Sequence, residues 1–208
     1  MKDGYYEANE EKKPQVIDLG LPSGTIWASC NVGASQPWEC GGYYAWGETE
    51  EKVVYNDVTY IYFKGKDTDD DGFYDKHEES EEIIENICGS VFDVAHMKWG
   101  DGWQMPTKEQ FKELLDHCSS KWTELHGVKG LKLVGPNGNS IFLPAGGSRN
   151  HSVINDVGDC GCYWSGMLSA NMHHNAHNLL FGHSYAFWYG YCNRSLGHSV
   201  RPVKNPSA

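Results

Sequence analysis

An acidic run in the middle of the chain, residues 67–78, has the residue types and spacing of a calcium-binding loop. In twelve positions it carries aspartate at 1, 3, 5 and 9, glycine at 6 and glutamate at 12. Carboxylate and carbonyl oxygens are preferred Ca²⁺ ligands, and the glycine permits the sharp turn of an EF-hand loop. The predicted structural Ca²⁺ ligands are Asp67, Asp69, Asp71, Asp75, Glu78 and the carbonyl of Phe73. The alternative is a solvated acidic loop without a metal.

The segments beside this run depart from the EF-hand pattern. Tyr60–Phe63, which precedes it, has the pattern of a strand, whereas an EF-hand begins with a helix. A helix is predicted only after the run, over Glu79–Cys88, because Ile83, Ile84 and Ile87 fall on one helical face.

Histidines near the C-terminus form a second cluster with potential for chemistry. His173 and His177 have the i, i+4 spacing that holds zinc on a helix, and His174 lies between them. Because the segment has no helical pattern and lacks the glutamate of a zinc-protease motif, a zinc site is disfavoured. No nucleophile–base order, phosphate loop or carboxylate pair is evident elsewhere, so we predict that the chain is not an enzyme.

Two further elements are predicted from short-range patterns. A helix is predicted over Thr107–Cys118, because Thr107 and Gln110 form a capping box and apolar residues follow at helical spacing. A hairpin is predicted at Asn137-Gly138, a strong hairpin signal. Its strands contain Leu131 and Leu133 on one side and Ile141 and Leu143 on the other.

The segment after the histidine cluster predicts a strand with two different faces. His183, Tyr185, Phe187, Tyr189 and Tyr191 alternate with Ser184, Ala186, Trp188, Gly190 and Cys192. Side chains alternate across a strand, so the first set lies on one face and the second on the other. We expect the first set to be exposed and Trp188 to enter the core. The opposite assignment, with the aromatic row buried, is the alternative.

Length and charge restrict the class of protein. The 208 residues fit one domain, and the net charge of −11 disfavours nucleic acid and anionic membrane surfaces as partners. The chain has no apolar run long enough to span a membrane, and its polar N-terminus is not a secretory signal. Residues 1–14 are predicted to be a disordered arm. The seven cysteines form no CxxC pair, and their odd number leaves at least one thiol unpaired within the chain.

Four blocks of sequence together resemble a known family. They are Val16–Glu48, Trp99–Leu114, Gly135–Gly147 and the end of the chain, where Tyr163-Trp164-Ser165 is followed by Ser199–Val203. This order is similar to that of the major-paralogous-domain modules of gut bacteria and their phages. The resemblance implies an α+β, C-type-lectin-like fold over residues 15–204, with many short strands and two or three helices. Trp27, Trp46, Trp103 and Trp164 are then core residues, and Arg201 is structural.

Some members of this family resemble the variable proteins of diversity-generating retroelements, in which mutagenised codons encode residues near the chain end. Such codons do not produce Lys, Glu, Gln, Met or Trp. Residues 165–199 contain no Lys, Glu or Gln, although the whole chain has 33 of these residues, and they contain five of its ten histidines. The resemblance therefore implies that residues 165–199 are a variable ligand-binding segment and that residues 66–79 are a local insertion. The implied ligand-binding residues are His173, His174, His177, His183, Tyr185, Phe187, Tyr189, Tyr191, Asn193, Leu196 and His198.

The implied function is a receptor- or adhesion-type module that binds a protein ligand on a target cell or surface, facing the extracellular side or carried on a phage particle. A calcium-dependent sugar site would need Glu-Pro-Asn or Gln-Pro-Asp, and neither occurs. Two alternatives are a surface or fimbrial structural subunit without diversification and a relative of the formylglycine-generating oxidases. Cys160, Cys162 and Cys192 could imitate the cysteine pair of those oxidases, although Cys160-Gly-Cys162 is too tight for an unstrained disulfide.

Overall fold

The structure, a computed structural model, describes residues 14–78, 84–100 and 102–206, with the backbone alone at His77 and Glu78. The predicted N-terminal arm lies outside these residues, apart from Pro14. In chain order the elements are β1 (Val16–Asp18), β2 (Ile26–Ala28), β3 (Lys64–Lys66), β4 (Lys76–Glu78), α1 (Val94–Trp99), α2 (Lys108–His117), β5 (Ser119–Leu125), β6 (Val128–Val134), β7 (Ser140–Pro144), β8 (Ser148–Asn150), β9 (Val153–Asn155), β10 (Cys160–Leu168), β11 (Asn175–Gly182), β12 (Tyr185–Asn193) and β13 (Val203–Lys204).

The described chain is predominantly β, so the predicted α+β, C-type-lectin-like fold is wrong. Three small sheets have the strand orders β1-β2-β13, β5-β6-β7 and β10-β11-β12, and β3-β4 and β8-β9 are separate two-stranded sheets. All strand pairs are antiparallel. The helices span only 6 and 10 residues. No helix in the described ranges is long and apolar enough to cross a membrane.

The two clearest local predictions are confirmed. Helix α2 is capped by Thr107, whose hydroxyl accepts the N–H of Gln110, while the Gln110 side chain accepts the N–H of Thr107. In the predicted hairpin, β6 pairs with β7, with Leu131 opposite Leu143 and Leu133 opposite Ile141. Both features depend on residues close in sequence, which is why they could be predicted.

Two other predictions are wrong. The helix expected over Glu79–Cys88 is absent from its described part, residues 84–88, and residues 79–83 lie outside the described ranges. The Ile87 N–H instead donates to the carbonyl of Gly166, and Asn86 forms a bridge with Met167. Pairing with the edge of β10 therefore replaces the helix. Tyr60–Phe63, predicted as a strand, forms a turn in which the Phe63 N–H donates to the Tyr60 carbonyl.

The largest hydrophobic cluster joins helix α2 to the sheets β5–β7 and β10–β12. Trp27, Phe111, Leu133, Tyr163 and Phe181, each fully buried, are among its members. The predicted burial of all four tryptophans is confirmed, because Trp27, Trp46 and Trp164 are 0% exposed and Trp103 is 3% exposed. This cluster supports the inner face of β12, the strand that carries the aromatic residues.

Candidate functional site

Strand β12 displays a row of four exposed aromatic side chains, which we name the aromatic row: Tyr185, Phe187, Tyr189 and Tyr191. They are between 39% and 55% exposed, while the alternate residues of the strand are half-buried. Trp188 and Ala186 pack against the largest hydrophobic cluster, and the Lys112 ammonium lies 5.8 Å from the centre of a Trp188 ring. Within β12 the predicted assignment of the two strand faces is confirmed, with Trp188 half-buried, whereas His183 and Ser184, predicted on opposite faces of the strand, lie in the turn and are both exposed.

A two-residue turn positions the aromatic row. His183 and Ser184 connect β11 to β12, and Gly182 is paired with Tyr185 across the turn. The Tyr185 ring lies directly over Gly182, where an added Cβ would meet the ring at 2.7 Å. Glycine at this position therefore lets the first ring of the row lie against the sheet.

Neighbouring rings of the aromatic row pack partly against one another. Tyr185 and Phe187 stack with centroids 5.4 Å apart and planes inclined by 17°, and Phe187 and Tyr189 follow at 5.5 Å and 48°. This arrangement resembles a ridge more than a flat platform. Tyrosine ridges offer large amphipathic contact area with little loss of side-chain entropy, as in antibody paratopes.

Four of the predicted histidines lie in β11, the strand paired with β12, and in the turns at its two ends. His173 and His183 are exposed, and His174 and His177 are half-buried. His177 lies in β11 opposite Tyr191, where burial, followed by the charge of Lys108, lowers the pKa of the imidazole. His173 and His174 lie in a turn rather than a helix, so the helical zinc arrangement is not formed.

His198 does not lie on this surface, and its predicted exposure is wrong. The residue is 0% exposed and stacks on Trp164 with ring centroids 4.0 Å apart. Its backbone exchanges hydrogen bonds with Tyr44, which draws residue 198 into the centre of the molecule. Neither ring nitrogen has a hydrogen-bond partner, and burial lowers the pKa of His198 to about 3.

Asn193 and Leu196 are half-buried, and the contacts of Asn193 are structural. The Asn193 amide donates to Asp57 Oδ1 at 2.9 Å, and Asn193 Oδ1 accepts the N–H of Ser195 at 3.0 Å. Asp57 also accepts the Tyr74 N–H at 3.0 Å. Asp57 therefore connects Asn193, at the end of β12, to the hairpin that carries the acidic run.

A cavity of about 390 Å³ lies at the turn end of the aromatic row. Its lining contains residues of β5, β6, helix α2 and the β11–β12 turn: Leu115, Ser120, Trp122, Leu131, Gly182, His183, Ser184, Tyr185 and Ala186. The Trp122 ring lies 6.1 Å from the His183 ring. Sequence reasoning did not include Ser120 or Trp122, because they are more than 50 residues away in the chain and no local pattern connects them to β12.

Residues 67–75 of the acidic run form the loop of a β-hairpin, not an EF-hand. Strands β3 and β4 flank this loop, with Lys66 paired with Lys76 and Lys64 with Glu78. Gly72 has a positive φ of 88°, and a Cβ there would be 2.5 Å from the Asn56 amide nitrogen, so the predicted need for glycine is confirmed. The loop is held from outside by His151, whose Nε2 lies 2.8 Å from the Asp71 carbonyl oxygen.

Three of the predicted ligands converge in this loop. One carboxylate oxygen from each of Asp67, Asp69 and Asp71 lies within 4.8 Å of the others, and no other such group occurs in the ranges that the structure describes. Asp67 also accepts the N–H groups of Asp70 and Gly72, at 2.8 and 2.9 Å. Three hard oxygen donors fit Ca²⁺, which accepts additional ligands from carbonyls and water.

The remaining predicted ligands are placed differently. Asp75 accepts the N–H of Thr68 at 2.8 Å and also its hydroxyl, and these hydrogen bonds lower the pKa of Asp75. The Glu78 backbone is opposite Lys64, roughly 10 Å along the strand from Asp67 at 3.3 Å per residue. Strand β4 thus carries Glu78 away from the loop, and its side chain lies outside the described residues.

The cysteines have no disulfide bonds; all seven are free thiols. The side chains of Cys160 and Cys162 form a hydrogen bond. This hydrogen bond is the main cause, and burial the second, of the raised pKa of Cys162. Burial also raises the pKa of Cys192. Raised pKa values keep Cys162 and Cys192 as thiols at neutral pH, whereas the hydrogen bond with Cys162 lowers the pKa of Cys160.

The chain matches no protein-family model, no curated protein and no solved structure. The fold and the geometry of the surface around β12 therefore carry the functional interpretation.

Substitutions on the two faces of β12 should have different costs. Tyr189→Ser removes an exposed ring and should lower the free energy of unfolding by less than about 1 kcal/mol. Trp188→Ala removes a ring packed on the core and should cost about 2–3 kcal/mol, below the value for a fully buried tryptophan. Denaturant titration of both variants measures the difference. Equal costs would mean that the two faces do not differ in packing.

Proposed function

We propose that this chain is a non-enzymatic binding protein whose residues 165–199 form a variable ligand-binding surface, as in the variable proteins of diversity-generating retroelements. The observation that carries the proposal is the aromatic row, an exposed ridge of three tyrosines and one phenylalanine on a strand whose other face packs on the core. Exposed residues on a rigid strand can change without loss of the fold, which is the requirement for diversification.

The ligand that best fits the surface is a protein. Tyrosine and phenylalanine supply anchoring contacts in protein interfaces, and the flanking His173, His174, His177 and His183 supply polar contacts. Residues 165–199 contain one arginine and no lysine, and Arg194 is buried. Binding to nucleic acid is therefore disfavoured, because it requires exposed cations. Such a receptor- or adhesion-type surface would act facing the cell exterior or on a phage particle.

Binding can be tested with a panel of purified bacterial surface proteins and an immobilised full chain. Changing Tyr189 and Tyr191 to serine should weaken any interaction by at least about tenfold, which corresponds to 1.4 kcal/mol. A matched control changes Val153 and Ile154, two exposed apolar residues of β9, to serine and should leave affinity unchanged. If the control weakens binding as much as the row variant, the aromatic row is not the binding surface.

We further propose that the loop containing Asp67, Asp69 and Asp71 binds Ca²⁺ in a structural role. The convergence of three carboxylates supports this proposal. An ion at this position would offset their mutual repulsion and hold the hairpin that contacts Asp57.

Added Ca²⁺ is expected to raise the melting temperature of the wild-type chain, because a ligand selective for the native state stabilises it by about 2.7 kcal/mol at a hundredfold excess over its Kd. Asp69→Asn with Asp71→Asn should abolish the increase while keeping the size of the side chains. The control, Asp156→Asn with Asp159→Asn, makes the same change in charge at another exposed loop. An unchanged melting temperature in millimolar Ca²⁺ would exclude the proposed site.

A further inference from the structure

The outer edge of β12 has no strand partner among the residues that the structure describes. β12 is the terminal strand in the order β10-β11-β12 and is nine residues long. An unpaired edge offers N–H and C=O groups to other chains, and folded proteins usually protect such edges with lysine, proline or other charged residues. Residues 185–193 contain none of these. The pairing register between β11 and β12 shifts between Asn178 and Leu180. The part of β12 nearest the turn precedes this shift and is regular.

The turn geometry indicates which backbone groups face outwards. In a hairpin with a two-residue turn, the residues beside the turn exchange both hydrogen bonds, and successive pairs then alternate. Gly182 and Tyr185 form the pair beside the turn, and Phe181 and Ala186 form the next pair. The N–H and C=O of Ala186 are therefore directed away from β11, towards the outer edge of β12, which has no strand partner among the described residues.

The cavity at the turn lies at the beginning of this edge. Ala186 and Tyr185 of β12 and Ser120 and Trp122 of β5 contribute to its lining. β5 is also a terminal strand of its sheet. A chain that followed the edge of β12 would thus reach a volume of about 390 Å³, which is within the size range of pockets that receive ligand groups.

The charges around the edge indicate the chemistry of the occupant. Residues 165–199 contain no acidic residue and no lysine, so β12 itself is uncharged when histidine is neutral. Asp156 and Asp159 are exposed and form no ion pair within the described ranges. They lie just before Cys160, the first residue of β10. Cys160 is paired with Gly182 of β11, which in turn is paired with Tyr185 of β12. Two exposed aspartates therefore lie next to β10, and Lys112 lies beside Trp188 of β12, while the chain as a whole is acidic, with a net charge of −11.

We propose that the ligand is a neutral or basic polypeptide that binds in an extended conformation as an additional strand beside β12, with one bulky side chain in the cavity. This inference rests on the proposed binding function and specifies the partner. Main-chain hydrogen bonds would provide affinity that does not depend on sequence, and the aromatic row and cavity would provide specificity. A second copy of the chain is a poorer occupant, because both molecules would carry the same large negative charge.

Short random peptides displayed on phage and selected against the full chain are the probe. Their affinity is measured for the wild type, Ala186→Pro, Ala186→Ser and Tyr189→Ser. Ala186→Pro removes the outward N–H and should weaken binding at least about tenfold, whereas Ala186→Ser changes the same cavity-lining side chain but retains the N–H, so it should weaken binding less than Ala186→Pro does. Proline is tolerated at outward positions of edge strands, so the melting temperature of the variant should change little. In the wild type, bound peptide should slow hydrogen exchange of the Ala186 amide.

The outcomes separate this inference from the proposed function. If Tyr189→Ser weakens binding but Ala186→Pro does not, and exchange at Ala186 is unchanged, strand pairing is overturned and the binding surface remains. If no variant changes affinity, both proposals are overturned. If no peptide is selected, strand pairing is overturned, and the panel of surface proteins decides the proposed function. Should the free chain dimerise with protection of the Ala186 amide, the occupant is a second copy and the inference is wrong. If Ala186→Pro does not fold, the exchange measurement on the wild type decides.

Discussion

Arg201→Ala is expected to destabilise the fold by more than about 4 kcal/mol, near the upper limit for a single substitution. The Arg201 side chain is 0% exposed and donates to Asn31 Oδ1 at 2.8 Å, to the Ala28 carbonyl at 3.2 Å and to the Phe142 carbonyl at 2.9 Å. Alanine would leave these acceptors without their donor, at about 1–3 kcal/mol for each unsatisfied group, and would also create a cavity.

Chemical denaturation measures this loss, and Arg201→Lys is the informative control. Lysine retains the charge but cannot reproduce the geometry of the guanidinium donors, so an intermediate loss is expected. Arg149→Ala serves as a second control, since Arg149 is only half-buried. A loss below about 1 kcal/mol for Arg201→Ala would mean that the three acceptors find other donors.

Acidification is expected to destabilise the protein through His198. Burial holds the pKa of His198 at about 3 in the folded state, against about 6.5 for an unfolded histidine. Between these values the unfolded chain binds a proton that the folded chain does not. The stability associated with neutral His198 is therefore complete above about pH 6.5 and is lost as the pH falls towards 3. At about pH 4.5 the loss should be on the order of 3 kcal/mol, because each pKa unit corresponds to 1.36 kcal/mol.

His198→Phe isolates this effect from the titration of acidic residues. Phenylalanine keeps a ring against Trp164, removes the two unpartnered nitrogens and cannot bind a proton. The difference in unfolding free energy between wild type and variant should change with pH by about 1.4 kcal/mol per unit between pH 6 and 4. His198→Leu provides the same comparison if the larger ring does not fit. A difference that is independent of pH would show that His198 titrates normally.

Local patterns predicted those features that depend on neighbouring residues. The capping box at Thr107 and the hairpin at Asn137-Gly138 are formed as expected. The alternation in β12 was also predicted, because a strand places successive side chains on opposite faces wherever it lies in the fold. The packing of half-buried Trp188 against the core and the exposure of the aromatic row follow from that alternation.

Tertiary pairing decided the remaining features. The segment Glu79–Cys88 has the apolar spacing of a helix, yet its described part pairs with β10, because the Ile87 N–H donates to the Gly166 carbonyl and the Ile87 side chain is buried in the core. The same kind of long-range pairing, with Tyr44, buries His198, although its neighbours in sequence resemble the surface segment.

The sequence by itself determined which residue types are available for binding: an uncharged, aromatic and histidine-rich segment and three closely spaced aspartates. The tertiary structure alone decided how these groups are placed. It put Trp122 beside His183 at a cavity, buried His198 in the core, and placed the three aspartates in the loop of a β-hairpin. The physical reason is that burial and strand pairing are satisfied by residues far apart in the chain, and no local periodicity records which distant partner is available.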